Sequence, residues 1–90
     1  MKHKIEITEQ APPVYRVTVT EGATKTNHEV TLTTPELAKY APNARPEALL
    51  SASFEFLLER EPKESILRRF AISDIEKYFP DFASKIRARL

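Results

Sequence analysis

The sequence predicts a two-layer α+β domain, a three-stranded antiparallel meander packed on one long and several short helices. Three observations carry this prediction. The first third of the chain alternates polar and apolar residues with period two. Beyond residue 34, prolines stand where helices begin. Residues 46–59 then carry apolar side chains around a broad arc at helical spacing.

In the first strand Ile5 and Ile7 alternate with Lys4, Glu6 and Thr8. In the second, Tyr15, Val17 and Val19 alternate with Arg16, Thr18 and Thr20. In the third, His28, Val30 and Leu32 alternate with Asn27, Glu29, Thr31 and Thr33. Period-two segments rich in β-branched residues are half-buried strands. Pro12 and Pro13 break the first pair, and Gly22 supplies a permissive turn residue for the second. Such a meander has one apolar face to cover and one polar face to leave wet.

Proline suits the first position of a helix, where its missing N–H has no intrahelical partner to lose. Pro35, Pro46, Pro62 and Pro80 each open a helix-like segment. Thr34 is the expected N-cap of the first, which ends near Tyr40. The helix from about Pro46 to Glu59 puts Leu49, Leu50, Ser53, Phe54, Phe56, Leu57 and Leu58 on one arc. An arc that wide predicts contacts on two sides, with the sheet and with later helices. Ile66, Leu67 and Phe70 suggest a helix from Pro62 to Phe70, with Glu64 and Arg68 paired at i,i+4. Ser73-Asp74-Ile75-Glu76 reads as a capping box opening a short helix to about Tyr78. A last helix follows Pro80, with Phe82, Ala83, Ile86 and Leu90 apolar. The expected core is Ile5, Ile7, Tyr15, Val17, Val19, Val30, Leu32, Leu49, Leu50, Phe54, Leu57, Ile66, Phe70, Ile75, Phe79, Phe82 and Ile86.

The 90 residues have room for one domain, taken as 1–90, with no repeat and no linker. The apolar share of 41% and charged share of 30% are those of a globular chain, not a disordered one. The net charge of +1 gives no bulk electrostatic argument for nucleic acid. No apolar run approaches the roughly 20 residues that span a bilayer, and no apolar leader follows the first residues. Cysteine is absent, which excludes disulfides and thiol catalysis and suits the cytoplasm.

No catalytic, metal-binding or cofactor-binding residue is expected. His3 and His28 lie on separate strands, without the close spacing of a ligand pair. His28 reads as a partly buried histidine at a strand end. No Gly-x-Ser-x-Gly elbow exists, and one glycine cannot build a phosphate loop. Ser53 reads as a small residue permitting close packing. The glutamates at 55, 59, 61 and 64 read as a solvated helix face rather than paired catalytic carboxylates.

The chain therefore reads as a small non-catalytic interaction or regulatory module with a protein partner. Its third strand, at about 26–33, holds no proline and stands at a sheet edge. Strand addition or dimerisation is expected there, with Thr26, Glu29 and Thr31 as contacts. Lys85, Arg87 and Arg89 form a second, weaker candidate contact with phosphate or an acidic partner, but the reading preferred for them is a basic last turn that complements the helix dipole. The competing reading is a DNA-binding helix-turn-helix over 62–78, with Ile66, Phe70, Ile72, Ile75 and Tyr78 as its small core. Its outward residues Asp74, Glu76 and Lys77 oppose phosphate approach, so nucleic acid is not the expected partner. An enzyme with an unrecognised site is a minor alternative.

The stretch from Ser53 to Phe70 (SFEFLLEREPKESILRRF), followed by Ile72-Ser73-Asp74-Ile75-Glu76-Lys77-Tyr78-Phe79-Pro80, resembles small bacterial proteins with no assigned activity. The resemblance covers about the C-terminal half. It implies a cytosolic bacterial protein and carries over no functional residue.

Overall fold

The computed structural model describes residues 3–90. Strands β1 (Lys4–Glu9), β2 (Val14–Glu21) and β3 (Thr24–Thr31) form the antiparallel meander that the alternation predicts. Gly22 has φ of +60° and Ala23 does not share the sign. A two-residue hairpin turn of type II′ needs that arrangement. Tyr15, Val17, Val19, Thr26, His28 and Val30 face inward, while Arg16, Asn27 and Glu29 face outward.

Helices α1 (Thr34–Tyr40) and α2 (Pro46–Leu58) follow. The N-cap of α1 is Thr33 rather than Thr34. Its hydroxyl accepts from the Glu36 amide at 3.3 Å, and the Glu36 carboxylate accepts from the Thr33 amide at 2.9 Å. This reciprocal pair satisfies two orphan donors at once. Helix α2 is buried on two sides, as its wide apolar arc implies. Phe54 lies against His28 and Phe70, with ring centroids 5.3 Å and 6.0 Å apart. Phe56 turns the other way, onto Phe79 and Phe82, at 5.8 Å and 5.3 Å. The Arg60 guanidinium caps that cluster, 3.6 Å above the Phe56 ring. Ser53 is buried and its hydroxyl donates to the Leu49 carbonyl at 2.7 Å, so a small polar residue is accommodated inside the helix.

The segment after α2 departs from expectation. The predicted helix from Pro62 to Phe70 is replaced by one 3₁₀ turn (Lys63–Ser65) and a short strand, β4 (Arg69–Ala71). β4 pairs in parallel with β3, Glu29 to Thr31 facing Arg69 to Ala71. The sheet is therefore four-stranded and mixed, in the order β1-β2-β3-β4, not a three-stranded antiparallel meander. A parallel pair needs a long crossover, which α1 and α2 supply. The expected Glu64–Arg68 pair does not form, since Glu64 meets Lys63 instead. Without its first helix, the helix-turn-helix reading of 62–78 has no scaffold. Tyr78, assigned to its core, is 68% exposed.

Helices α3 (Ile72–Tyr78) and α4 (Phe82–Arg89) complete the fold. The N-cap of α3 is Ala71, not Ser73, and the Asp74 carboxylate accepts from the Ala71 amide at 3.0 Å. Glu36 reaches across from α1 to accept from the Ser73 amide at 3.0 Å. One carboxylate thus satisfies the starts of two helices. The core contains the expected residues, with Ile5, Ile7 and Phe79 partly rather than fully buried. It also takes in Tyr40, Phe56 and Ile72, all at 0% exposure, and Ala52.

Candidate functional site

β3 is not an edge strand. The chain from Lys63 to Ala71 runs along it, bonding side chains of β3 at Thr24 and His28 and its backbone at Glu29–Thr31. The Lys63 ammonium donates to the Thr24 hydroxyl at 2.7 Å. The His28 Nδ1 bonds the Leu67 carbonyl at 2.8 Å, and the Glu29 amide donates to the Arg68 carbonyl at 2.7 Å. The parallel ladder to β4 then takes over. Strand addition or self-pairing through 26–33 therefore loses its basis over this stretch. Of its proposed contacts, Thr26 is buried and bonds the His28 Nε2 at 2.8 Å. Glu29 pairs with Arg69 at 3.3 Å, and Thr31 is half-buried in the ladder.

His28 is buried rather than partly exposed, and both its nitrogens are engaged. The Leu67 carbonyl can only accept, so Nδ1 carries the proton and Nε2 accepts from the Thr26 hydroxyl. Burial pushes the imidazole pKa down and nearby Arg68 adds to this, against the opposing pull of the Leu67 carbonyl. The residue is a neutral staple between β3 and the strand that covers it.

The basic C-terminal residues are also mostly spent inside the fold. Arg87 donates to the Lys39 carbonyl at the end of α1, 3.2 Å away. Arg89 pairs with Glu59 at the end of α2. All three are exposed, and Lys85 alone has its charge uncommitted among the described residues.

The structure presents instead a groove that sequence reasoning missed. The end of α2, the 3₁₀ turn, β4 and α3 enclose about 200 Å³ lined by Leu57, Ile66, Leu67, Phe70, Ile75 and Tyr78. Leu67 and Tyr78 are two of the three large apolar side chains that stand exposed among the described residues. The sequence places Leu67 among the apolar residues of a helix over 62–70, and Tyr78 in a core only under the helix-turn-helix reading. Once 66–71 becomes extended, Ile66 and Phe70 go inward and Leu67 turns out.

Two carboxylates stand at this groove, and they differ. Asp74 is committed to the Ala71 amide and to Lys77 at 3.0 Å, and its pKa is lowered by these partners. Glu61 is half-buried, and burial alone pushes its carboxyl upward. Among the described residues its carboxylate has no ion pair or hydrogen bond. The groove thus combines open apolar surface with one uncompensated anion.

Among the described residues no cluster of histidine and acidic side chains is arranged to hold a metal ion. No described helix is long and apolar enough to cross a membrane. Comparison of the chain with protein-family models, with curated proteins and with solved structures gives no match.

Proposed function

We propose that this chain is a small non-catalytic interaction module whose groove between the 3₁₀ turn and α3 takes a protein segment. The segment presents one large apolar side chain beside a lysine or arginine. The observation that carries this reading is the half-buried Glu61 carboxylate, held without a cationic partner against an apolar wall.

Size and charge both support that occupant. An apolar cavity of about 150 Å³ accepts a benzene ring, so a groove of about 200 Å³ accommodates one leucine or aromatic side chain. Anchoring by one such side chain, ringed by weaker contacts, is how small interfaces concentrate their affinity. A cation arriving at Glu61 meets a carboxylate already partly stripped of water, where a charge-assisted bond is stronger than at an open surface. Leu67 and Tyr78 then pass from water into the interface.

Selection from a random peptide library displayed on phage tests this reading. The expected result is enrichment of sequences that pair a large apolar residue with a nearby Lys or Arg. Binding of the selected peptides should fall at least tenfold in Glu61→Lys and in Leu67→Glu, two substitutions at positions that leave the core intact. Selected peptides that bind both variants as well as the parent, or a selection with no enrichment, would overturn it.

A further inference from the structure

The outward face of the sheet holds a second feature, independent of the groove. Across it runs a ladder of directly opposed residues, Arg16 on β2, Glu29 on β3 and Arg69 on β4. Arg68 stands beside this row, and the four side chains with Asn27 line one shallow depression. Three guanidiniums therefore share one carboxylate. Glu29 is engaged by Arg69 at 3.3 Å, which leaves Arg16 and Arg68 without an anion among the described residues.

The neighbouring amides orient this cluster without discharging it. The Gln10 amide lies against Arg16 and, turned so that its carbonyl oxygen faces the guanidinium, can accept from Nε and Nη2 at 3.2 Å and 3.3 Å. A neutral amide holds a guanidinium in place but leaves its charge uncancelled. The Thr18 hydroxyl donates to the Asn27 carbonyl oxygen at 2.8 Å, so the Asn27 NH₂ group is free to donate. The depression thus gathers donors in excess of acceptors on a rigid strand scaffold. Its field is also felt inside the protein, because Arg68 helps to keep the buried His28 neutral.

We infer that the depression formed by Arg16, Arg68, Arg69 and Asn27 is an oxyanion site that takes a phosphate dianion carried on a small molecule. Planar guanidiniums match the tetrahedral oxygens of phosphate two at a time, which a lysine cluster does not do. Two features of the face favour a small ligand over a nucleic acid strand. None of the outward residues of the four strands is aromatic, so no stacking platform for bases exists there. Glu6 and Glu29 also interrupt the positive charge along the sheet, where a phosphate backbone would need a continuous track.

The test is a two-dimensional amide NMR titration of the full chain with inorganic phosphate, at fixed ionic strength, with sodium chloride as the control. Saturable shifts confined to the amides of residues 16, 27–29 and 68–69 are expected. Arg16→Gln combined with Arg68→Gln should weaken the affinity at least tenfold, since charge-assisted hydrogen bonds are lost. Glu29→Gln should tighten it severalfold, because it removes the single competing carboxylate. All three side chains are solvent-facing, and unchanged spectra elsewhere will show that the variants fold. Shifts spread over the whole surface, equal shifts with chloride, or no gain in Glu29→Gln would overturn the site. An oligonucleotide of random sequence that binds while inorganic phosphate neither shifts these amides nor competes would overturn the small-ligand assignment and transfer the surface to nucleic acid.

Discussion

The imidazole Nδ1 of His28 lies 2.8 Å from the carbonyl oxygen of Leu67, 39 residues further along the chain. This bond fixes where the segment after α2 meets the sheet. It sits one residue before the Glu29 amide donates to the Arg68 carbonyl, and two before the parallel ladder begins. On its inner side the same ring rests against Phe54. A single side chain thereby joins β3, the covering segment and the core helix.

The buried histidine makes stability depend on pH with a definite sign. Burial lowers its folded pKa below the ordinary 6.5, and Arg68 contributes in the same direction. In the unfolded chain the ring takes up a proton near 6.5, before the folded protein does. The unfolded state therefore binds more protons between the two values, and stability falls as pH drops through that window. Above 6.5 the contribution is constant. Urea unfolding measured from pH 7.5 down to 5 should show this loss, and His28→Gln should flatten it. A second loss, at lower pH, is expected from Glu36. Burial raises its carboxyl, but the bonds from Thr33 and Ser73 outweigh this and hold it below 4.5. Stability from Glu36 is present above 4.5 and lost as pH falls through the folded value.

Two aromatic truncations on α2 separate its two buried sides. Phe54 and Phe56 are both at 0% exposure, one toward the sheet and one toward α4. Phe54→Ala and Phe56→Ala should each cost about 3–5 kcal/mol, from lost burial and the cavity left behind. Thermal or urea unfolding gives both values. At about 0.1 kcal/mol per residue a domain of this size has about 9 kcal/mol in all, so either change is severe. An unchanged midpoint for Phe56→Ala would show that α4 does not pack on this helix.

The three strands and α2 were legible because each satisfies its own period locally. Tyr15, Val17 and Val19 cannot all be buried except as a strand, and Leu49, Leu50, Phe54 and Leu57 cannot except as a helix. The segment 62–71 was not legible, for a physical reason. Ile66, Leu67 and Phe70 fit helical spacing, and Pro62 stands where a helix would start. What decides the outcome is the unpaired side of β3, whose donors and acceptors need partners from far along the chain. Pro62 precedes a 3₁₀ turn instead, and Phe70 reaches the core from a strand. The candidate groove followed the same logic. Leu67, Tyr78 and Glu61 come together only once that segment is extended, so no local pattern announced them. The arginine row across the outer face was half legible, since Arg16 and Glu29 alternate outward, but Arg69 joined it only through β4.

The covering of β3 predicts its exchange behaviour. The Glu29 amide donates to Arg68 and is shielded by β4. It should exchange with solvent as slowly as the amides of the β2–β3 ladder. Outer-edge amides of β1 should exchange faster, because among the described residues β2 is the only strand hydrogen-bonded to β1. Hydrogen exchange followed by NMR reads both. Fast exchange at Glu29 would mean that β4 detaches readily and that β3 is available to a partner strand after all.

Lys63 gives the last prediction. Its side chain is 2% exposed, yet its ammonium meets the Thr24 hydroxyl, the Glu64 carboxylate and, at 3.7 Å, the Glu21 carboxylate. A buried ion pair is costly to break when the abandoned charge stays buried. Here it does not, since the Glu64 and Glu21 side chains are 60% and 29% exposed and can return to water. The long aliphatic stem of Lys63, by contrast, fills space against the β2–β3 hairpin. Lys63→Met keeps the stem and removes the charge, so it should change stability by no more than about 1 kcal/mol, the scale of an exposed pair. Lys63→Ala removes the stem as well and should cost about 2–3 kcal/mol more, at the lower end of large-to-small core substitutions. Unfolding free energies of the two variants measure the difference directly. Equal and large losses would mean that the charge, not the packing, anchors this turn to the hairpin.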